Sequence, residues 1–415
     1  MTEIVWRQRP DAPLGVARLS KIAFDGGDLR PLRSQLLDKY VFEPDNAAAL
    51  MDLAMIEQLL GNLGDGLARQ QEALALRRIF HSPCAASPPA LRLLALAAPG
   101  DIGTDAPLEF LLEGSDIALT TLYVMPGEPL PDAIPEHDVA MVVACESDDN
   151  APVLSAIARL ADAWPKPLLN DPAKIARLGR ERLHAILRPL AGVEIPATLR
   201  LDRASLEDLA AGRSTLRSVL DDGEFPVIAR PVGSHAGHGL ARLEDTAAIG
   251  AYLAVRPEAA FHLSRYVDYR SADGLFRKYR VVFVDGSAYA CHMAIADQWK
   301  IYYLNAGMGE SAAKKAEEER FMTAFGSEFA RRHRAALASI AACVGLDYFG
   351  IDCAQTAAGK LLVFEADVAM IVHAMDSPTV FPYKGPQMSK VFAAFRALLK
   401  ERASRLPRQS AGFAA

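Results

Sequence analysis

Apolar residues recur at helical spacing over residues 29–79. Leu53, Ile56 and Leu60 lie three or four positions apart, so they fall on one face of a helix. The run breaks at the Gly-Asn-Leu-Gly sequence of residues 61–64 and then resumes. This pattern predicts two antiparallel helices joined by a short turn.

The helical pair resembles a single tetratricopeptide-like unit. A helical repeat array needs about three repeats to bury a continuous core, and the sequence shows one clear copy. A helical region packed on the rest of the chain is therefore favoured, and a docking surface for a protein partner is the alternative. Residues 1–27 show little pattern, so we expect loose packing or partial disorder there.

Beyond a linker-like stretch at residues 82–89, apolar runs alternate with helical patterns. The predicted strands are residues 91–96, 117–124, 139–145 and 167–169, and the predicted helices are residues 107–113, 153–163 and 175–190. This alternation is typical of a parallel α/β domain. The last of these helices is expected to present Arg177, Arg180 and Arg182 on an exposed face, from which one of them could contact a ligand.

Residues 225–240 combine a short apolar strand with a loop rich in glycine. Arg230 stands at the root of the loop, and Gly233, Gly237 and Gly239 follow it. Glycines at this spacing let backbone N–H groups point into one concavity and approach an anion closely. The spacing is equally typical of a glycine-rich hairpin turn, so a phosphate-covering loop and a plain turn are both open from this stretch alone.

Two further segments have clear local signals. Residues 280–292 predict a hairpin around Asp285 and Gly286, a favoured two-residue turn. Residues 328–344 predict an amphipathic helix that Gly345 terminates.

Acidic residues gather near the C-terminus, where two apolar runs within residues 350–368 predict an antiparallel hairpin. With residues 358–359 as the tip, Asp352 lies directly opposite Glu365, and Asp367 points to the same face. Three adjacent carboxylates are unfavourable unless a cation neutralises them, and oxygen-only ligands favour magnesium. The alternative is a solvent-facing acidic strand, and a one-residue slip in register would move Asp352 to the other face.

Composition excludes several classes of protein. The chain has 415 residues, 51% of them hydrophobic, and a net charge of −6, which indicates two or three soluble domains and argues against a general nucleic-acid binder. No run is long enough to span a membrane, and the first residues do not resemble a signal peptide. Five scattered cysteines without a Cys-x-x-Cys pair favour a reduced, cytoplasmic protein without disulfides or zinc.

Four segments together resemble the ATP-grasp superfamily, above all its ribosomal-protein-S6-modifying and glutathione-synthetase-like ligases. They are NDPAKI at residues 170–175, PVIARPVGSHAGHG at 226–239, YRVVFVDG at 279–286, and GLDYFGID followed by LLVFEAD at 345–367. The resemblance covers about residues 91–399 and implies a multidomain α/β and α+β chain with an ATP-grasp fold. The implied domains are a helical, tetratricopeptide-like region at residues 1–85, a pre-ATP-grasp α/β domain at 90–172, a small subdomain at 173–270 and a large subdomain with a metal site at 271–405.

The resemblance also implies roles for individual residues. Arg230 and Arg182 are similar to the basic residues over the nucleotide phosphates, Arg280 to the arginine that steadies the acyl phosphate, and Lys300 is placed near the terminal phosphate. The implied nucleotide-binding residues are Arg182, Arg230, Gly233, Ser234, His235, Gly237, Gly239, Ser264, Tyr266, Val267 and Asp268. The implied metal ligands are Asp352, Glu365 and Asp367.

The chain departs from the family pattern at three positions. Arg230 replaces a lysine, which keeps the charge and changes its geometry. Asp367 stands where the family usually has asparagine. Lys278 occupies the position of an expected acidic ribose contact, so either Asp268 or Asp273 substitutes or that contact is lost.

The resemblance implies an ATP- and magnesium-dependent ligase that joins a carboxylate to an amine, or to a thiol, through an acyl phosphate. Two alternatives remain at this point: an ATP-dependent kinase of the same fold, and a nucleotide-binding scaffold protein without turnover. The expected partners are a small-molecule or peptide carboxylate, an amine acceptor, a protein bound by the N-terminal helices and a second copy of the chain. Neither nucleic acid nor a membrane is expected as a partner.

Overall fold

The computed structural model describes residues 12–234, 237–304 and 306–405, which divide into two units. Unit 1 consists of Met1–Ala176, Leu346–Phe349 and Val368–Ala415, and unit 2 consists of Arg177–Gly345 and Gly350–Asp367. The predicted helical region and the predicted α/β domain therefore both fall in unit 1.

The N-terminal part of unit 1 is helical. Its helices are α1 (Val16–Phe24), α2 (Arg30–Phe42), α3 (Ala47–Leu59) and α4 (Leu63–Leu76). The two predicted helices correspond to α3 and α4, although Gly64 belongs to α4 and not to the turn. These two helices approach closely at Gly66, where a Cβ atom would lie 2.6 Å from the side chain of Gln58 and 2.8 Å from the carbonyl of Ala54.

Helix α1 was not predicted, and the expectation of loose packing over residues 1–27 is wrong for this part of them. Leu19 of α1 is fully buried and packs with Ile56. The first turn of α1 is held by two distant carboxyl groups: Asp52 accepts hydrogen bonds from the backbone amides of residues 14 and 15, and Glu109 accepts one from residue 17. The capping carboxyl groups come from segments that are far away in sequence, so no local sequence pattern predicts this cap.

The rest of unit 1 contains the predicted parallel α/β fold. Its strands are β1 (Ile79–His81), β2 (Leu91–Ala97), β3 (Ile117–Tyr123), β4 (Val139–Val142) and β5 (Leu168–Leu169), and its helices are α5 (Leu108–Leu112), α6 (Ala151–Ala161) and α7 (Pro172–Ile175). The strand order is β1-β3-β2-β4-β5. Strands β2 to β5 pair in parallel, as predicted, whereas β1 adds an antiparallel edge.

The first helix of unit 2 differs from the predicted one. The predicted helix over residues 175–190 is two helices, α7 and α8 (Arg180–Leu187), because Gly179 is the N-cap of α8 and has an extended backbone. The remaining helices of unit 2 are α9 (Arg203–Ala210), α10 (Leu216–Val219), α11 (Thr246–Ala254), α12 (Ala312–Thr323), α13 (Phe329–Arg332) and α14 (Arg334–Val344). The predicted helix over residues 328–344 is likewise divided at His333, and Gly345 ends it in the left-handed conformation as predicted (φ 64°).

Unit 2 contains two sheets. The strands are β6 (Val193–Glu194), β7 (Thr198–Asp202), β8 (Val227–Pro231), β9 (Ala241–Leu243), β10 (Ala260–Arg265), β11 (Phe276–Val284), β12 (Ser287–Ala296), β13 (Tyr348–Gln355) and β14 (Leu361–Asp367). The first sheet is antiparallel with the order β7-β10-β8-β9, and the second has the order β12-β11-β13-β14-β6. The predicted hairpin turn between β11 and β12 is confirmed, since Asp285 (φ 48°) and Gly286 (φ 75°) both have positive φ.

The second sheet has two different faces. On one face, Tyr279 of β11 packs against Phe321 and Phe329, with ring centroids 4.9 Å away in both cases. Because side chains alternate along a strand, Lys278 and Arg280 point to the opposite face. The aromatic face belongs to the core, and the charged face is where the candidate site lies.

The last helix in the described residues is α15 (Lys384–Ser404), which is part of unit 1 and was not predicted. Phe395 of α15 is fully buried, and its ring centroid lies 5.2 Å from that of Tyr348. No helix in the described part of the chain is long and apolar enough to cross a membrane.

Candidate functional site

The β13–β14 hairpin carries the predicted acidic residues. Asp352 pairs directly with Glu365, as predicted, and Asp367 pairs with Gly350 two positions further on. This register places Asp352 and Glu365 on the same face of the second sheet of unit 2.

The turn of the hairpin and the pairing next to it differ from the prediction, although the register at Asp352 is the predicted one. Its turn is closed by a hydrogen bond from the Thr356 amide to the Lys360 carbonyl, so the predicted two-residue tip is wrong. Nearer the turn, Cys353 pairs with Val363, and Phe364 is an extra residue in a β-bulge. The bulge offsets the longer turn by one position and restores the predicted pairing.

Asp352 is held by two cations of the neighbouring strand β11. Its side chain is 1% exposed, and it accepts hydrogen bonds from Arg280 Nε (2.8 Å) and Arg280 Nη2 (3.0 Å). Lys278 Nζ lies 2.6 Å from its second oxygen. Burial alone would raise the pKa of Asp352, but Arg280 and Lys278 lower it well below its usual range.

Glu365 is paired with Arg180, at a distance of 2.6 Å between Oε2 and Nη2. Burial raises the pKa of Glu365, but Arg180 is the strongest of several cations that lower it, and the net pKa is lowered. Of the three arginines predicted on one helix face, Arg180 is thus the one that joins the charged residues. The side chain of Arg182, which the sequence placed at the phosphates, is on the exposed side of α8.

The predicted metal site does not fit this arrangement. In the parts of the chain that the structure describes, no three His, Cys, Asp or Glu side chains lie close enough together to hold a metal ion. The expectation that Asp352, Glu365 and Asp367 form such a group is therefore not met. The physical reason is that Lys278, Arg280 and Arg180 already neutralise two of the carboxylates. We call Arg180, Arg230, Lys278, Arg280, Asp352 and Glu365 the charged cluster.

Arg230 differs from the other cations of the charged cluster. It lies on β8 at the root of the glycine loop, where its Nε donates a hydrogen bond to Ser234 Oγ (3.2 Å) and its Nη2 donates one to the Ser234 carbonyl. No carboxylate in the described residues lies within ion-pair distance of it. Burial, followed by the nearby charge of Arg180, lowers the pKa of Arg230 to about 10.

The glycine loop needs its glycines for two reasons. Gly233, Gly237 and Gly239 all have positive φ (73°, 62° and 66°), a conformation that glycine adopts without strain. A Cβ atom at Gly237 would also overlap the hydroxyl of Tyr302, whereas one at Gly233 would meet open space. His235 lies outside the described residues.

Lys300 lies beside this loop. Its Nζ donates a hydrogen bond to the Leu240 carbonyl (3.2 Å) and lies 5.9 Å from the ring centroid of Tyr302. Lys300 therefore lies near the loop, and its predicted reach to the terminal phosphate stays a prediction.

The predicted adenine-binding strand is β10, which ends one residue before Tyr266. Ser264 pairs within the sheet, and the Arg242 guanidinium lies over the Tyr266 ring, 4.7 Å from its centroid. Asp268 is exposed and pairs with Arg270 at 3.4 Å. The roles of Ser264, Tyr266, Val267 and Asp268 toward a nucleotide stay predictions.

Sequence reasoning treated Lys278 as a departure and missed its contact with Asp352. The alternation of Lys278 and Arg280 along β11 was a usable signal that both face the same side. The missing information was that β13 lies beside β11, a pairing between segments far apart in sequence.

Unit 1 also buries carboxyl groups, around a cavity of about 120 Å³. Asp52, Asp105, Glu109 and Tyr123 line it. Burial raises the pKa of Asp52 and that of Asp105 to about 7 in each case, and it raises the pKa of Glu109 as well. No ion pair joins these three carboxyls to a cation in the described part of the chain.

No protein-family model matches the chain, and no curated protein matches it. Among solved structures, it is similar to a D-alanine–D-alanine ligase from Bacillus anthracis complexed with ATP, with 13% identity over 76% of this chain and 97% of that chain and a TM-score of 0.44. It is similar to the VanG D-Ala:D-Ser ligase from Enterococcus faecalis at 12% identity, over 74% and 99% of the two chains, with a TM-score of 0.44. A RimK domain protein of ATP-grasp type from Sphaerobacter thermophilus matches at 17% identity, over 73% and 98%, with a TM-score of 0.39.

Proposed function

We propose that unit 2 binds the phosphate groups of ATP and that the chain is a ligase joining a carboxylate to an amine through an acyl phosphate. One observation carries this proposal: the half-buried Arg230 guanidinium stands at the root of a glycine loop, and no carboxylate of the described residues lies within ion-pair distance of it. Glu365 interacts with Arg230 only at longer range. Partial burial of a charge without a direct ion pair is costly, and a phosphate group would supply that pair. The four segments that resemble ATP-grasp ligases support the choice of ATP.

The reaction would proceed in two displacements. A carboxylate oxygen attacks the γ-phosphorus of ATP, the bond from that phosphorus to the β–γ bridging oxygen breaks, and ADP leaves. The nitrogen of the amine then attacks the acyl carbon, the carbon–oxygen bond to phosphate breaks, and inorganic phosphate leaves as the nitrogen loses a proton. No side-chain nucleophile is required, so positioning and charge neutralisation provide the catalysis.

The residues would divide this work as follows. Arg230 and Lys300 bind phosphate oxygens, and Arg280, steered by Asp352, faces the charge that develops on the acyl phosphate. The loop carrying Gly233, Gly237 and Gly239 covers the phosphates and excludes water, which would otherwise hydrolyse the intermediate. Because the carboxylates do not fit a magnesium ion as arranged, no step is assigned to one.

A second candidate function is nucleotide binding without turnover. The observation that favours it is the sequestration of Asp352, which two cations hold in a position where a phosphoryl-transfer enzyme would use a free carboxylate. In that case the helices α1 to α4 would serve as the partner-binding region of a scaffold protein. A kinase would transfer the phosphate to an acceptor that keeps it, and no observation specifically favours that reaction.

The decisive experiment measures ATP consumption with pools of amino acids and small carboxylates, in wild type and in Arg230→Met. The matched control is Arg213→Met, since Arg213 is exposed and forms an ion pair with Asp208 of α9. A ligase releases free phosphate only when both a carboxylate and an amine are present, and Arg230→Met should lower this rate at least 100-fold while the control leaves it unchanged. Phosphate retained on an organic product would indicate the kinase, and ATP binding without consumption would indicate the scaffold. Absence of ATP binding to folded wild type would contradict the proposal.

A further inference from the structure

Two carboxylates that would be expected to hold magnesium are already neutralised in the charged cluster. Both oxygens of the buried Asp352 carboxylate receive donors, from Lys278 and Arg280 at 2.6 to 3.0 Å. A magnesium ion binds carboxylate oxygens at about 2.0–2.1 Å and keeps an octahedral shell. It would have to displace an ammonium and a guanidinium group from a side chain that is 1% exposed.

The charge of the cluster also changes what a ligand must supply. Four cations (Arg180, Arg230, Lys278 and Arg280) accompany two carboxylates (Asp352 and Glu365). Lys300 and Asp367 carry opposite charges, so including both leaves the excess at two positive charges. A bound anion would balance this excess, whereas a divalent cation would increase it.

Lys278 occupies the central place in this arrangement. It contacts Asp352 directly and also interacts electrostatically with Glu365 and with the Tyr302 hydroxyl beside the glycine loop. An ammonium group on a strand is therefore positioned among the same carboxylates that a metal ion would bridge. Unlike a metal ion, it is covalently part of the protein and cannot be removed by a chelator.

We propose that unit 2 binds the phosphate groups of a nucleoside di- or triphosphate without a divalent cation, because Lys278, together with Arg280, takes the metal's place beside Asp352. This inference rests on the proposed function, since it concerns the same phosphate site. It goes beyond the proposed function because it names the metal-free nucleotide as the bound species. It assigns to Lys278 the part that the sequence resemblance gave to magnesium.

Isothermal titration calorimetry of wild type with ADP and with ATP tests the proposal, once in EDTA and once in excess magnesium chloride. The readout is binding and not turnover. We expect dissociation constants that agree within about threefold between the two buffers. Binding that weakens tenfold or more in EDTA would overturn this inference and leave the proposed function standing. Failure of both nucleotides to bind in both buffers would overturn the two together.

Variants of Lys278 sharpen the test. Lys278→Met should lose at least tenfold in affinity in EDTA, whereas Lys278→Arg, which keeps the charge, should stay within about threefold of wild type. Lys390→Met is the matched control, because Lys390 is exposed on α15. Wild-type affinity of Lys278→Met in EDTA would contradict the role of Lys278, and circular dichroism checks that each variant is folded.

Discussion

The two units both bury carboxyl groups, but they neutralise them in opposite ways. In unit 2, Asp352 is held by an ammonium and a guanidinium group, and its pKa is lowered. In unit 1, Asp52 and Asp105 line a cavity without an ion-pair partner among the described residues, and burial raises the pKa of each to about 7. One unit keeps its buried acid charged, and the other favours the protonated form.

This difference shows what burial of an acid means for function. A carboxylate that stays charged can orient a cation toward a ligand, as Asp352 orients Arg280. At Asp52 the backbone amides at the start of α1 donate hydrogen bonds to the carboxyl and lower its pKa, but burial outweighs them. Burial alone therefore does not identify a functional acid, and the neighbouring charges decide.

The strongest test of the comparison removes a cation from unit 2. Arg280→Met leaves Asp352 with Lys278 alone, and breaking a buried ion pair in this way typically costs about 3–5 kcal/mol of unfolding free energy. Urea denaturation followed by Trp299 fluorescence measures it, in a background where Trp6 and Trp164 are replaced by phenylalanine. In the control, Arg320→Met removes the exposed pair with Glu328 and should cost less than about 1 kcal/mol. Equal losses in both variants would show that Asp352 does not depend on its cations.

A second test follows unit 1 as a function of pH. Because the folded-state pKa values of Asp52 and Asp105 lie above the unfolded value of 3.8, the folded state binds more protons between about pH 4 and pH 7. The associated stability is fully present below pH 4 and is lost as the pH rises through 7. Urea unfolding followed by Trp164 fluorescence should show unit 1 to be less stable at pH 8 than at pH 5, by about 3–5 kcal/mol for the two carboxyls together. Stability that rises over this range would contradict the assignment.

The smallest expected effect comes from replacing a single acid of the cavity. Asp105→Asn keeps an oxygen that can accept the hydrogen bond from the Ala98 amide (2.9 Å) but cannot ionise next to Asp101 and Tyr123. At pH 8 the variant should gain about 2 kcal/mol in stability relative to wild type, and at pH 5 it should change little. The same urea measurement at both pH values checks it. An equal loss at the two pH values would mean that the carboxyl acts through its shape and not through its charge.

Elements with local signals were predictable from the sequence. Asp285 and Gly286 form the predicted turn because two-residue hairpins need positive φ at both positions. The apolar runs of β2 to β5 likewise formed the expected parallel sheet. The break before Arg180 was not predicted, because a single glycine such as Gly179 is tolerated within a helical pattern. In the structure, Gly179 caps a new helix.

The candidate site was predictable only in part. Hairpin periodicity predicts that Asp352 and Glu365 lie opposite each other, and the structure shows this pairing. Neither the turn length nor the bulge at Phe364 was predicted. The partners of these acids could not be derived in this way. Lys278 and Arg180 come from segments that are far away in sequence, so only the tertiary fold brings them to the carboxylates.

The hydrogen bonds of Arg230 have a consequence for the rate of ligand association. A guanidinium group has five N–H donors, and Ser234 accepts two of those of Arg230. As far as the described residues show, three donors remain for an incoming anion while Ser234 keeps its place. At Ser234 the loop therefore does not have to fold before the ligand binds. Association at such a preorganised group is expected to be limited by encounter and orientation, and not by a conformational change of the loop.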